Sequence, residues 1–292
     1  VLPVVADRSS STYHVAMDGR RPLEELLRAD GACDLSMRTP VVAYGANRNP
    51  ATVHIKLQNY GAGGPVPVLR GRLAGADVVA CGLHGQGYLY GELLLAREYV
   101  RDTTVDVFVL LLDDDQLRAM NDSEGLTSGM YSLAAVPGVR VEGVDGPVRP
   151  LAYVANERVW ISPELGSPIA YSAIAAGKRV LPGMAARQVL HHAIQTLGIA
   201  DAVADATGLD PTTLADDLPK YMNGQWWYEF HTGDQPLAAH GHVLDVFSAS
   251  MRRNSIPVRT LDQLSRDRLV LPSDAAYAPG AQFSWGALVP GR

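Results

Sequence analysis

VDVFVLLLDDDQLRAMNDSEGLTSGMY (105–131) holds three signals in a row. Residues 105–112 are β-branched and apolar, the pattern of a well-buried strand. Asp113, Asp114 and Asp115 follow, and one of them is expected to cap a short helix over 116–122. Glu124-Gly125 then closes that helix, a Ser128-Gly129 turn comes next, and Tyr131 opens the following strand. The chemical question is whether Glu124 is an ordinary turn carboxylate or the acid/base of an enzyme.

Upstream, 21–29 has helical spacing, and 41–50 (VVAYGANRNP) reads as a strand running into a turn broken by Asn49-Pro50. Residues 61–67 form a glycine-rich loop. One or two strands are predicted over 66–82 and another over 87–95. Downstream, 131–143 and 147–156 read as a strand pair around the GVDGP turn. Three helices are predicted over 162–177, 182–198 and 210–222, the second with Gly198 just past its end. The stretch 223–292 gives no clear assignment. Strands first and helices afterwards indicate an α+β fold with a mainly antiparallel sheet or barrel.

The chain has 292 residues, 47% hydrophobic and 19% charged, which suits one large globular domain or a domain with extensions. A formal charge of −6 argues against nucleic acid or an anionic membrane as the main partner. The two cysteines, Cys33 and Cys81, lack CxxC spacing and imply neither a disulfide framework nor a zinc site, in keeping with a cytoplasmic protein. No apolar run approaches the ~20 residues of a membrane span. The opening VLPVVADRSSSTYHV lacks the pattern of a secretory leader.

Two segments carry candidate chemistry. In the turn Tyr44-Gly45-Ala46-Asn47, small residues let backbone N–H groups approach a ligand closely. Glu124-Gly125, with Tyr131 beyond, offers a carboxylate for proton transfer. The order YGAN (44–47), VDVFVLLLDDDQLRAMNDSEG (105–125), SGMY (128–131) and SPIAYSAIAAGKRVLP (167–182) resembles the gamma-glutamylcyclotransferase family, over about residues 41–197. EGLTSGMY is the most specific part of the match.

The resemblance implies a small, mainly antiparallel β-barrel with flanking helices over 41–200. It leaves 1–40 as an N-terminal extension packed on the core and 201–292 as a C-terminal extension. It also implies an intramolecular aminolysis of a small γ-glutamyl amide, releasing 5-oxoproline and a free amine, with Glu124 as acid/base. Tyr44, Gly45, Ala46, Asn47, Tyr131 and Tyr153 would bind substrate, and neither cofactor nor metal is implied. Ala46 stands where the family usually has serine, Arg48 where it often has leucine, and Asn121 where it usually has aspartate. Arg48 would place a cation beside the site, and Asn121 would remove a like charge near Glu124. The extensions are read as a lid, a homodimer contact or a recognition surface for a dedicated substrate. The alternatives are other amide or acyl chemistry such as hydrolysis, or a non-catalytic binding or assembly module.

Other features have plainer readings. Three consecutive aspartates cannot converge on a metal, and His191-His192 do not share a helix face. His240 and His242 would share a face if they lay on a strand. Trp226-Trp227-Tyr228 reads as core, interface or pocket wall. GAGG (61–64) is not a dinucleotide fingerprint.

Overall fold

The computed structural model describes residues 4–7, 12–15, 21–232, 238–255, 264–267 and 269–289, without the side chains of 4–7, 12–15, 225–232, 238–239 and 273–274. In chain order the elements begin with β1 (Val4–Asp7), β2 (Thr12–Val15), β3 (Arg21–Pro22), α1 (Leu23–Ala29), β4 (Thr39–Ala43) and α2 (Pro50–Asn59). Next come β5 (Val68–Ala74), β6 (Asp77–Leu83), β7 (Leu89–Leu94), α3 (Arg97–Val100), β8 (Thr104–Leu112) and α4 (Asp114–Ser123). Strands β9 (Tyr131–Ala135), β10 (Val139–Val141), β11 (Leu151–Ala155), β12 (Ala170–Tyr171), β13 (Ala176–Gly177) and β14 (Gly183–Met184) follow. Helices α5 (Ala186–Leu197), α6 (Ala200–Thr207), α7 (Leu214–Thr232), α8 (Ala238–Arg253), α9 (Ser273–Tyr277) and α10 (Trp285–Leu288) come last, and single 3-10 turns lie at Leu35–Met37, Ala46–Arg48 and Ala281–Phe283.

β8 is the centre of the main sheet, ordered β10-β5-β8-β4-β11-β9, with β13 also on β8. Its two faces go to different places, as the period of a strand demands. Val105, Val107, Val109 and Leu111 join one apolar cluster, and Leu110 and Leu112 join another. The second cluster contains Val53 and Leu57 of α2 and Leu117 and Met120 of α4, so those two helices lie side by side on one face. The first contains Leu23 and Leu27 from α1, Val189 from α5, and Val243, Phe247 and Trp285 from the C-terminal stretch. Residues 201–289 therefore contribute side chains to the same core as the sheet. A second sheet, β14-β12-β6-β7, packs beside the first.

The fold is α+β, and most strand pairs are antiparallel; β11 with β4 and β12 with β14 are parallel. The expected barrel is not closed among the described residues. The outer edge of β9 is taken instead by residues 269–271, where Leu269 and Leu271 bracket the Ala134–Val270 bridge. A covered edge removes the need for closure.

The helix expected over 162–177 is absent. That stretch forms turns and the short strands β12 and β13. Pro163 and Pro168 remove two N–H donors. Ile169, Ala170 and Tyr171 are buried in succession, which no helix face would do. Asp77, fully buried, anchors the segment through two 2.8 Å contacts to Arg179, which also donates to the Ile174 carbonyl. The helix expected over 210–222 runs on to Thr232. His240 and His242 lie on α8, not on a strand. The side chains of Trp226, Trp227 and Tyr228 lie outside the described residues.

Candidate active site

Helix α4 starts with a capping box: the Asp113 carboxylate accepts from the Gln116 backbone N–H at 2.9 Å, and the Gln116 side chain accepts from the Asp113 N–H at 3.2 Å. It ends at Glu124, whose backbone N–H reaches the Met120 carbonyl. Gly125 follows with φ +63°, and a Cβ there would lie 2.7 Å from Ser128 Oγ. The Glu-Gly turn is thus tight because only glycine accepts both that dihedral and that contact.

The Glu124 carboxylate is held by polar groups from two other elements. Its Oε1 accepts from Asn47 Nδ2 at 2.7 Å and from Lys56 Nζ at 2.5 Å. Lys56 Nζ also donates to Asn47 Oδ1 at 3.0 Å, closing a three-membered network in which the Asn47 amide can point only one way. The side chain of Glu124 is 10% exposed and that of Lys56 23%. Oε2 has no donor among the described residues. Packing of α2 on α4 brings Lys56 to Glu124, and the turn after β4 delivers Asn47.

Lys56 carries no signal in the sequence as long as Asn49-Pro50 reads as a breaker. The same pair starts a helix. Asn49 accepts from the Ala51 N–H and Pro50 fills the first position, where a missing N–H costs nothing. Val53 and Leu57, spaced i and i+4, were the available signal.

The other expected residues divide. The backbone N–H groups of Ala46 and Asn47 have no acceptor among the described residues, and a Cβ at Gly45 would meet nothing within 4 Å. Tyr44 and Tyr153 are buried behind the site. Tyr44 donates its hydroxyl to the Tyr153 carbonyl, and Tyr153 donates to Asn121 Oδ1 at 2.8 Å. Burial, reinforced by nearby negative charge including Glu124, raises both phenols well above their ordinary range. Tyr131, half-buried, keeps a hydroxyl without a partner among the described residues. Its ring stands edge-on to Tyr90 at 6.2 Å, and burial and then Glu124 push its phenol upward.

Two further rings were not anticipated. His84 and Tyr88 stack at 4.8 Å in the β6–β7 turn. Burial, then the Lys56 ammonium, lower His84 to about 4 against a partial opposing pull from Glu124, so it is neutral at pH 7. The C-terminal helices clamp this turn. His240 Nε2 lies 2.8 Å from the Gly85 carbonyl, and Gln86 donates to Asn223 at 3.1 Å. Gly87, at φ +82°, lies so near α7 that a Cβ would meet Met222 and Pro219 at 2.8 Å.

Two sequence departures receive a structural reading. Asn121 is fully buried and donates to the Ala276 carbonyl at 2.9 Å, a bond that an ionised aspartate cannot make. Its role is to join α4 to the C-terminal stretch, where Tyr277 also donates to Asp122 at 2.7 Å. Arg48 lies over the Phe108 ring at 5.3 Å, and the nearby charge it feels most is Asp106 rather than Glu124.

Beyond Tyr131 lies a cavity of about 350 Å³, with Tyr90, Met130 and Tyr131 on one side and Ser248, Met251 and Arg252 from α8 on the other. A Cβ at Gly82 would strike the Tyr90 ring at 2.8–3.1 Å, so glycine there lets the ring lie flat on the wall.

No family model and no curated protein match the sequence. Solved structures similar to part of the chain include a gamma-glutamyl cyclotransferase. That likeness has 16% identity over 41% of this chain and 67% of the other, with a TM-score of 0.33. An AIG2-like protein from Mus musculus is 19% identical over 50% of this chain and 95% of its own, with a TM-score of 0.32. An uncharacterized protein from Homo sapiens is 16% identical over 41% of this chain and 68% of its own, with a TM-score of 0.35. At such scores the likeness carries no weight for activity. No helix among the described residues is long and apolar enough to cross a membrane.

Proposed function

We propose that the protein is a gamma-glutamylcyclotransferase-like enzyme that cleaves a γ-glutamyl amide to 5-oxoproline and a free amine. The observation that carries this reading is the Glu124 carboxylate, fixed through Oε1 by Asn47 and Lys56, with Oε2 undonated among the described residues and with the turn that supplies Asn47 offering two backbone N–H groups that have no acceptor among them. The substrate's α-ammonium gives a proton to Oε2. The freed amine attacks its own γ-carbonyl carbon, the new C–N bond closes a five-membered ring, and the negative charge moves to the former carbonyl oxygen. Glu124 returns the proton to the departing nitrogen as collapse breaks the original C–N bond. The ring nitrogen, which holds two hydrogens after the attack, gives one through the same carboxylate to the released amine, leaving the lactam N–H of 5-oxoproline, an ammonium and an ionised Glu124.

One carboxylate serves these transfers, a role worth about 10²–10⁴ in rate. Ring closure needs a near-attack geometry more than an activated nucleophile. The N–H groups of Ala46 and Asn47 would meet the substrate's carboxylate or the developing oxyanion. Tyr131 would border the reacting amide through its free hydroxyl, with Tyr44 and Tyr153 supporting the floor from behind. Mass analysis of products from a panel of γ-glutamyl amines and peptides tests the reaction. A 5-oxoproline product supports cyclisation, glutamate supports hydrolysis, and binding without turnover supports a non-catalytic module.

A further inference from the structure

The cavity beyond Tyr131 has features that proton transfer at Glu124 does not use. Arg158 and Arg252 both line it, from the loop after β11 and from α8. Neither guanidinium has a carboxylate, carbonyl or ring partner among the described residues. Glu157 is the single acidic residue in the lining among the described residues, and none of the ion pairs among them joins it to either arginine. In a chain of net charge −6, two exposed arginines that border one cavity without an acidic partner among the described residues form a local site for an anion, and a guanidinium matches carboxylate or phosphate with two parallel donors. Arg158 is also placed by its backbone, because its carbonyl accepts from the Cys81 thiol at 3.0 Å.

Tyr131 belongs both to the surroundings of Glu124 and to the cavity wall. A substrate with its γ-carbonyl at Glu124 would extend its leaving group past that ring. We infer that the cavity receives the amine half of the substrate, and that this half carries a carboxylate or phosphate held between Arg158 and Arg252. This assignment rests on the γ-glutamyl reading above. A volume near 350 Å³ lies at the lower end of small-molecule sites, suited to an amine half of amino-acid size. It also gives α8 a role in choosing the substrate.

The test uses the γ-glutamyl conjugates of 4-aminobutyrate, phosphoethanolamine and n-butylamine. Release of 5-oxoproline is measured with the full chain, with Arg158→Gln and with Arg252→Gln. Binding of each conjugate is measured by calorimetry on Glu124→Gln, alone and combined with each arginine change. The expected result is a preference for one or both anionic conjugates, with each arginine change raising their KM about five- to tenfold, the scale of a charge-assisted contact at a partly wet site. The better of the two anions identifies the group. Equal handling of anionic and neutral conjugates, or arginine changes without effect on KM or binding, overturns the assignment. Arginine-dependent binding without 5-oxoproline from any conjugate leaves the anion site standing and removes the cyclisation reading. Absence of both removes the anion site as well.

Discussion

The two ends of α4 are held in opposite ways. At its start, Asp113 and Gln116 cap each other across three residues, and the buried Arg38 donates to Gln116 and to the Leu111 carbonyl at 3.2 Å. At its finish, apart from the local bond of the Ser123 hydroxyl to the Met120 carbonyl, the side-chain partners come from far along the chain: Asn47 and Lys56 for Glu124, Tyr153 and Ala276 for Asn121, and Tyr277 for Asp122. The first end rests on a local cap, which the distant Arg38 and the Gly63 carbonyl then brace through Gln116. The second exists only after α2 has packed and residues 276–277 have docked, and it is the end that carries the candidate acid/base. Site geometry here depends on the C-terminal stretch although, among the described residues, none of that stretch bonds to Glu124.

The largest stability effect should come from breaking the distant end. Asn121→Leu strands the Tyr153 hydroxyl's acceptor need and the Ala276 carbonyl in a buried place. At roughly 1–3 kcal/mol for each stranded group, denaturant unfolding should show a loss of about 3 kcal/mol. A loss below about 1 kcal/mol would mean that the C-terminal stretch does not depend on this bond. Gly87→Ala attacks the other clamp, by strained φ and by collision with α7. It should cost about 1–3 kcal/mol and raise hydrogen exchange in the 84–88 turn; an unchanged exchange pattern would count against the clamp. Asp113→Ala at the near end should cost only about 1 kcal/mol and leave substrate binding alone.

A finer comparison uses pH. His84 is depressed from 6.5 to about 4 in the folded protein, so between those values the unfolded chain binds the extra proton. Its contribution is whole above about pH 6.5 and is lost as pH falls toward 4. Stability of the wild type should therefore decline across that window more steeply than stability of His84→Gln. Parallel curves would contradict a buried, neutral His84.

This contrast also sets what could be read in the sequence. The strand at 104–112, its aspartate cap, the Glu-Gly turn and the helix ending at Gly198 (φ +62°) are written in adjacent residues, and the structure reproduces them. The α2 helix is hard to read because Asn-Pro both breaks a strand and starts a helix, and Lys56 is hidden with it. The helix expected over 162–177 does not form, because its prolines and the Asp77–Arg179 anchor fix the stretch as turns and short strands. Residue types alone could place Glu124 beside a turn. They could not show a lysine from α2 on its oxygen, or an asparagine tying its helix to residue 276.

The most direct test of the account is the rate of 5-oxoproline release by the wild type and Glu124→Gln, on whichever γ-glutamyl compound the wild type turns over best. Glutamine keeps the shape and can still accept from Asn47 and Lys56 through its carbonyl oxygen, but it cannot shuttle the proton. A fall of about 10²–10⁴ in kcat, with KM within a few-fold of wild type, is the predicted result. Equal rates for the two proteins would contradict it and leave Glu124 as an ion-paired turn residue.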